Sequence, residues 1–185
     1  MPDERLALLI PGHGYTAERP LLHFAGAVFE KHGWDTREVR WPEPPPPRDD
    51  QDRAAWFARL TSFVQAHVGP ILDRETAPRI ALVGKSMGCF AASFAADRGL
   101  PGVWLTPVLR ESPLPADLRR ATAPFLLVGS AADRSWEPEV ARSLGQPFYE
   151  TEHADHGLET PDDPVNSAEI LRQVTLAMDS FVRTL

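Results

Sequence analysis

An α/β fold is the architecture this sequence predicts: a doubly wound, mostly parallel six-stranded sheet with helices on both faces, in one domain over residues 1–185. Two observations predict it. Short, continuously apolar runs alternate with longer stretches of helical period, and the apolar runs lack the polar alternation of a half-solvated strand, so they read as strands buried on both faces. The chain also holds no internal repeat, and right-handed crossovers between successive strands then give a doubly wound sheet.

Leu6–Ile10 is the first strand, closed by Pro11-Gly12. Pro20–Lys31 sets Leu21, Leu22, Ala25, Val28 and Phe29 at helical spacing, with Gly33 as the stop. Trp34–Trp41 carries a weaker strand pattern suited to a sheet edge or its neighbour, and the run Pro42–Pro47 after it reads as a stiff extended loop, either a pocket wall or a plain surface feature. Asp52–Val68 places Trp56, Leu60, Phe63, Val64 and Val68 on one face, with Gly69-Pro70 as its stop. Ile80–Val83 is a buried strand, followed by a helix over Met87–Asp97 rich in alanine. Gly102–Val108 and Phe125–Val128 are two further strands with a short polar segment between them. A helix over Pro138–Leu144, a strand over Pro147–Thr151 and a helix over Asn166–Leu185 complete the pattern.

Composition narrows the function. Hydrophobic residues make up 43% of the chain and charged residues 24%, which suits a folded globular domain rather than a disordered one. A net charge of −7 and a pI near 5.3 leave no basic footprint for phosphate backbones, so nucleic acid is not an expected partner. No apolar stretch approaches the ~18 residues that span a bilayer, and the acidic start Met1–Arg5 does not match a secretory signal. The single cysteine, Cys89, supports neither a disulfide nor a zinc pattern. A cytoplasmic protein is the expectation, with no membrane partner; the oligomeric state is left open.

Gly84-Lys85-Ser86-Met87-Gly88 matches G-x-S-x-G between a buried strand and a helix, where such a serine sits on a sharp, strained turn. A serine hydroxyl is a poor nucleophile near neutral pH and needs a base, and the base needs an orienting group. Asp133 stands just past the strand Phe125–Val128, and His156 follows the last strand within Asp155-His156-Gly157. His156 is preferred to His153 as base, and the pair His153/His156 is a poor metal site because no third ligand accompanies it. For the oxyanion, the Met87 N–H at the helix start is one donor. The second is expected from Pro11–Tyr15, with the His13 N–H ahead of Tyr15. Gly12, Tyr15 and Trp136 are candidate substrate contacts, whereas Lys85 reads as facing the rim or the adjacent helix without a catalytic role and Cys89 as core.

Together, Pro11–Gly14, the elbow Gly84–Gly88, Asp133 and His156 resemble the α/β-hydrolase family over nearly the whole chain. The strand before the oxyanion loop is the third of that family's usual eight, so the resemblance implies a minimal fold lacking the first two strands. The segment Val108–Phe125 is too short for the lid many members insert there. The chain is thus similar to small lidless serine esterases and to dienelactone-hydrolase-like proteins, although dienelactone hydrolases proper use cysteine where this chain has Ser86. The implied activity is hydrolysis of a carboxylic ester or related small acyl compound through an acyl-enzyme, with no metal or organic cofactor. The alternatives are acyl transfer to another acceptor and a catalytically silent binding module on the same fold.

Overall fold

In the computed structural model, which describes residues 5–185, six strands form one all-parallel sheet in the order β2-β1-β3-β4-β5-β6. These are β1 (Arg5–Ile10), β2 (Asp35–Glu38), β3 (Arg79–Lys85), β4 (Gly102–Leu105), β5 (Phe125–Ser130) and β6 (Phe148–Thr151). The acidic start at residues 1–4 lies outside the described residues. Successive strand residues alternate between two apolar layers. Leu6, Leu8, Ile10, Leu82, Trp104 and Leu127 face one layer, which α2 (Arg53–Arg74) covers with Phe57, Leu60 and Val64. Ala7, Leu9, Ala81, Val83, Val103 and Val128 face the other, where α1 (Pro20–Lys31) and α6 (Pro164–Val182) bury Leu22, Phe29, Val174 and Met178. Continuous apolar strands are what two buried faces require. Truncating one such side chain, Leu82→Ala, costs about 2–5 kcal/mol.

Several expectations are corrected. The helix begun near Asp52 does not stop at Gly69-Pro70 but runs to Arg74 with Pro70 inside it. Proline removes one hydrogen bond at roughly 3 kcal/mol, but the turn beyond it buries Leu72 and packs Ile71 on the core, a gain of about 1.5–3 kcal/mol for each fully buried aliphatic. The strand expected to reach Val108 ends at Leu105, because Thr106 adopts φ 45° and turns the chain out of the sheet. The segment before β5 holds a helix, α4 (Leu114–Arg120), driven by Leu114 and Leu118, which are four apart and both buried. That helix is all the segment contains, so no lid stands between β4 and β5. The expected helix over Met87–Asp97 is two pieces, a 3₁₀ helix η1 (Ser86–Ala91) and α3 (Ala92–Arg98). With α5 (Pro138–Ser143) these complete the helices of the described residues. No helix among the described residues is long and apolar enough to cross a membrane.

Parallel strands end on one edge, so the loops after β1, β3, β5 and β6 gather there. That edge is where ligands meet folds of this kind.

Candidate active site

Ser86 opens that edge. It follows β3 directly and holds φ 53°, a left-handed conformation costing on the order of 1–3 kcal/mol for a residue with a side chain. The glycines beside it are required by close approach. A Cβ on Gly84 would stand 2.6 Å from the Gly88 carbonyl oxygen, and one on Gly88 would overlap the carbonyl of Ile10 in β1.

Three side chains meet in series. His156 Nε2 lies 2.7 Å from Ser86 Oγ, and His156 Nδ1 lies 2.7 Å from Asp133 Oδ2. Asp133 sits in the turn after β5, where its Oδ1 accepts from the Ser135 N–H. Burial would raise the pKa of this carboxyl, but hydrogen bonding to His156 and Ser135 and the charges of His156 and Lys85 outweigh it, and the net shift is downward. Asp133 is thereby held as a carboxylate. His156 comes from the loop after β6, with 40% of its side chain exposed, so the site is open to solvent.

That loop is braced from below. Ser130 Oγ donates to the Ala154 carbonyl and accepts from the Ala154 N–H, and Asp155 Oδ1 accepts from the N–H groups of Gly157 and Glu159. His153, the rival base, is exposed with Glu152 as its neighbour at 3.6 Å.

The loop after β1 folds over the nucleophile, and a side chain on Gly12 would stand 3.4 Å from Ser86 Cβ. The Tyr15 N–H is directed at the Gly12 carbonyl at 3.5 Å, and the Gly12 N–H donates to Tyr15. The Tyr15 N–H is thus directed within the loop's own turn. The Tyr15 hydroxyl accepts from the Leu21 N–H, which ties the ring to the start of α1. Met87 follows Ser86 in the first turn of η1, where backbone N–H groups have no partner within the helix.

Two expectations fail. Trp136 is 1% exposed, covers Gly129 and donates to Glu150 Oε2 at 2.5 Å, so it is a packing residue and not a cleft wall. A glycine seven residues earlier on a buried strand is the only signal that could have shown this. Lys85 does not face the rim: it is buried at 2% exposure, and its Nζ donates to the His156 carbonyl at 2.8 Å. The sequence signal for its burial is its place directly after the apolar run Ile80–Gly84.

A cavity of about 580 Å³ lies beneath the base loop, between it and the starts of α1 and α6, lined by Leu21, Asp155, Leu158 and Leu171 among others; Ser86 and His156 do not line it. No group of metal-ligating side chains occurs among the described residues.

Comparison with protein-family models and with curated proteins yields no match. Solved structures do match. An alpha-beta serine hydrolase homologue from Coxiella burnetii aligns over 93% of this chain and 83% of its own, at 16% identity and a TM-score of 0.62. Est1E from Butyrivibrio proteoclasticus, solved with ferulic acid bound, aligns over 98% and 88%, at 14% identity and a TM-score of 0.65. A serine hydrolase without lid from Xanthomonas campestris aligns over 98% and 84%, at 11% identity and a TM-score of 0.59. The chain has the α/β-hydrolase fold.

Proposed function

We propose that this chain is a serine hydrolase that cleaves a carboxylic ester or related acyl compound through an acyl-enzyme. The observation that carries the reading is the unbroken series Ser86 Oγ, His156, Asp133, with both contacts at 2.7 Å, set on a strained turn at the edge of a parallel sheet. With Nδ1 protonated and donating to Asp133, His156 presents a lone pair on Nε2 to the Ser86 hydroxyl. The serine oxygen attacks the acyl carbon, its proton passes to Nε2, and the N–H groups of Met87 and His13 hold the oxyanion. Collapse breaks the bond to the leaving oxygen, which takes the proton from Nε2. A water deprotonated by the same nitrogen then releases the acid and frees Ser86. No step calls on a metal or organic cofactor.

The α/β-hydrolase fold and the serine hydrolases among the similar structures support hydrolysis, and the ferulic acid bound to Est1E, a carboxylic acid of the type an ester hydrolase releases, supports the ester as substrate class. With no lid between β4 and β5 to supply an apolar wall for a long chain, compact acyl groups are favoured, and kcat/KM is expected to be higher on a four-carbon than on a twelve-carbon ester.

The test is labelling with a fluorophosphonate probe. The wild type should be labelled and Ser86→Ala should not; a well-folded wild type that takes no label contradicts the reading.

A further inference from the structure

The proton relay leaves one buried charge unused. Lys85, the last residue of β3, is 2% exposed, a depth at which a charged side chain needs a partner. Its Nζ donates 2.8 Å to the backbone carbonyl of His156 and lies 4.9 Å from the centre of the Tyr15 ring. A side chain at Gly12 would meet the Lys85 carbonyl oxygen at 3.0 Å and its Cδ at 3.4 Å, so the stem runs directly under the loop after β1. The charged groups that face the ammonium are Asp133, from the loop after β5, and Asp155, from the loop after β6. Cys89 in η1 also faces it, but full burial pushes that thiol pKa up and keeps it neutral. One cation thus lies among the loops that leave β1, β5 and β6.

We infer that Lys85 is a positioning residue for the proton relay: its ammonium clamps the backbone of His156 and so keeps Nε2 on Ser86 Oγ. The inference rests on reading the site as a nucleophile and base. The other braces of the loop act one or more residues away, Ser130 on Ala154 and Asp155 on Gly157 and Glu159. Lys85 grips residue 156 itself. A charge-assisted hydrogen bond out of water is stronger than a neutral one, and a base displaced by about 1 Å can lose a hundredfold in rate. Lys85 is not itself the base, because its Nζ is directed to the His156 carbonyl.

The clamp weakens with alkali. Burial pulls the Lys85 pKa from 10.5 down to about 8, against the opposing pull of Cys89, Asp133 and Asp155. Tyr15, whose pKa burial raises, is still neutral at that pH. Activity should therefore fall as pH rises through about 8.

The test compares wild type, Lys85→Met and Lys85→Arg on an activated short-chain ester across pH, with amide hydrogen exchange over residues 153–160. Lys85→Met should lower kcat by about ten- to a hundredfold with KM nearly unchanged, lose the alkaline limb, and exchange faster over 153–160. Lys85→Arg, which keeps its charge to above about pH 12, should recover part of kcat and show no limb near pH 8. Wild-type activity that stays level from pH 7 to 10 overturns the inference, and so does Lys85→Met with wild-type kcat and exchange. Should Lys85→Met fail to fold, the wild-type and Lys85→Arg profiles decide. A wild type that neither turns over ester nor takes a fluorophosphonate overturns the hydrolase reading and this role with it. An active wild type with an unaffected Lys85→Met overturns this role alone.

Discussion

The two edge strands of the sheet make a natural comparison. β2 and β6 are four residues each, and each is followed by a long segment. The segment after β2 runs outward along α2: Trp41 packs on Phe63 and His67, the Pro46 carbonyl accepts from Trp56 Nε1, and Asp49 pairs with Arg59. The segment after β6 turns inward and delivers His156 to Ser86. The difference lies in what each finds to bury. The loop after β6 carries Ala154 and Leu158 into the layer under α1 and α6, and Ser130 and Lys85 satisfy its backbone. The loop after β2 has prolines, which lack N–H groups to tie into the sheet edge, and Trp41, whose ring suits the side of a helix. Stiffness alone does not make a site wall; anchored backbone does.

The largest effect expected of this contrast comes from the inward loop's own cargo. His156→Ala and Ser86→Ala should each lower turnover of an activated ester by about a thousandfold or more, while His153→Ala, exposed on the same loop, should leave it nearly unchanged. Steady-state kinetics on the three variants checks this, and equal loss in His153→Ala would break the assignment of the base.

Next comes the burial of Lys85. Its folded pKa of about 8 lies below the ordinary lysine value of 10.5, so between these values the unfolded chain binds more protons and stability rises with pH. Relative to Lys85→Met, the wild type should gain stability on the order of 3 kcal/mol from pH 8 to 10.5, read by denaturant unfolding at several pH values. Stability and activity then move in opposite directions over the same range, which a lysine on the rim would not produce.

Ser130→Ala removes the brace under Ala154 and leaves buried backbone groups without that partner, at about 1–3 kcal/mol of stability. A tenfold loss of kcat, roughly, should accompany it as the base loop loosens.

These contrasts also show what a sequence can disclose. β1 and β3 were legible because strands buried on both faces must be apolar, Ser86 and Asp133 because each stands just beyond such a strand, and His156 because Asp155-His156-Gly157 follows the last strand, the half-exposed edge strand β6. The structure brings those three within hydrogen-bond distance. Trp136 was misread because proximity to Asp133 along the chain says nothing about which side of the turn a ring takes. The extension of α2 through Pro70 and the helix at Leu114–Arg120 were missed because tertiary burial outweighed local signals. Lys85 was missed because a long polar side chain reads as exposed until a carbonyl is seen to meet it.

A smaller effect concerns charge. Asp155 and Glu159, on the loop that carries His156, face Tyr15 in the loop over Ser86, whereas Glu150 is engaged by Trp136 and Arg142, and Asp52 caps α2. Like charges at surface distances cost about 1 kcal/mol before salt screening. A neutral ester should therefore be hydrolysed a few-fold faster than a matched ester with a remote carboxylate, with the gap narrowing as salt is added. Smallest of all, replacing Pro44 and Pro45 with alanine should change kcat/KM by less than about twofold, the scale of surface substitutions. A larger loss would mean that the outward loop reaches the cleft after all.

The acyl-enzyme mechanism requires a covalent bond at Ser86. Mass spectrometry of protein quenched during turnover of an activated four-carbon ester, followed by peptide mapping, should find the acyl group on Ser86 in the wild type and no adduct in Ser86→Ala. Turnover with the acyl group on another residue, or undiminished turnover by Ser86→Ala, would contradict it.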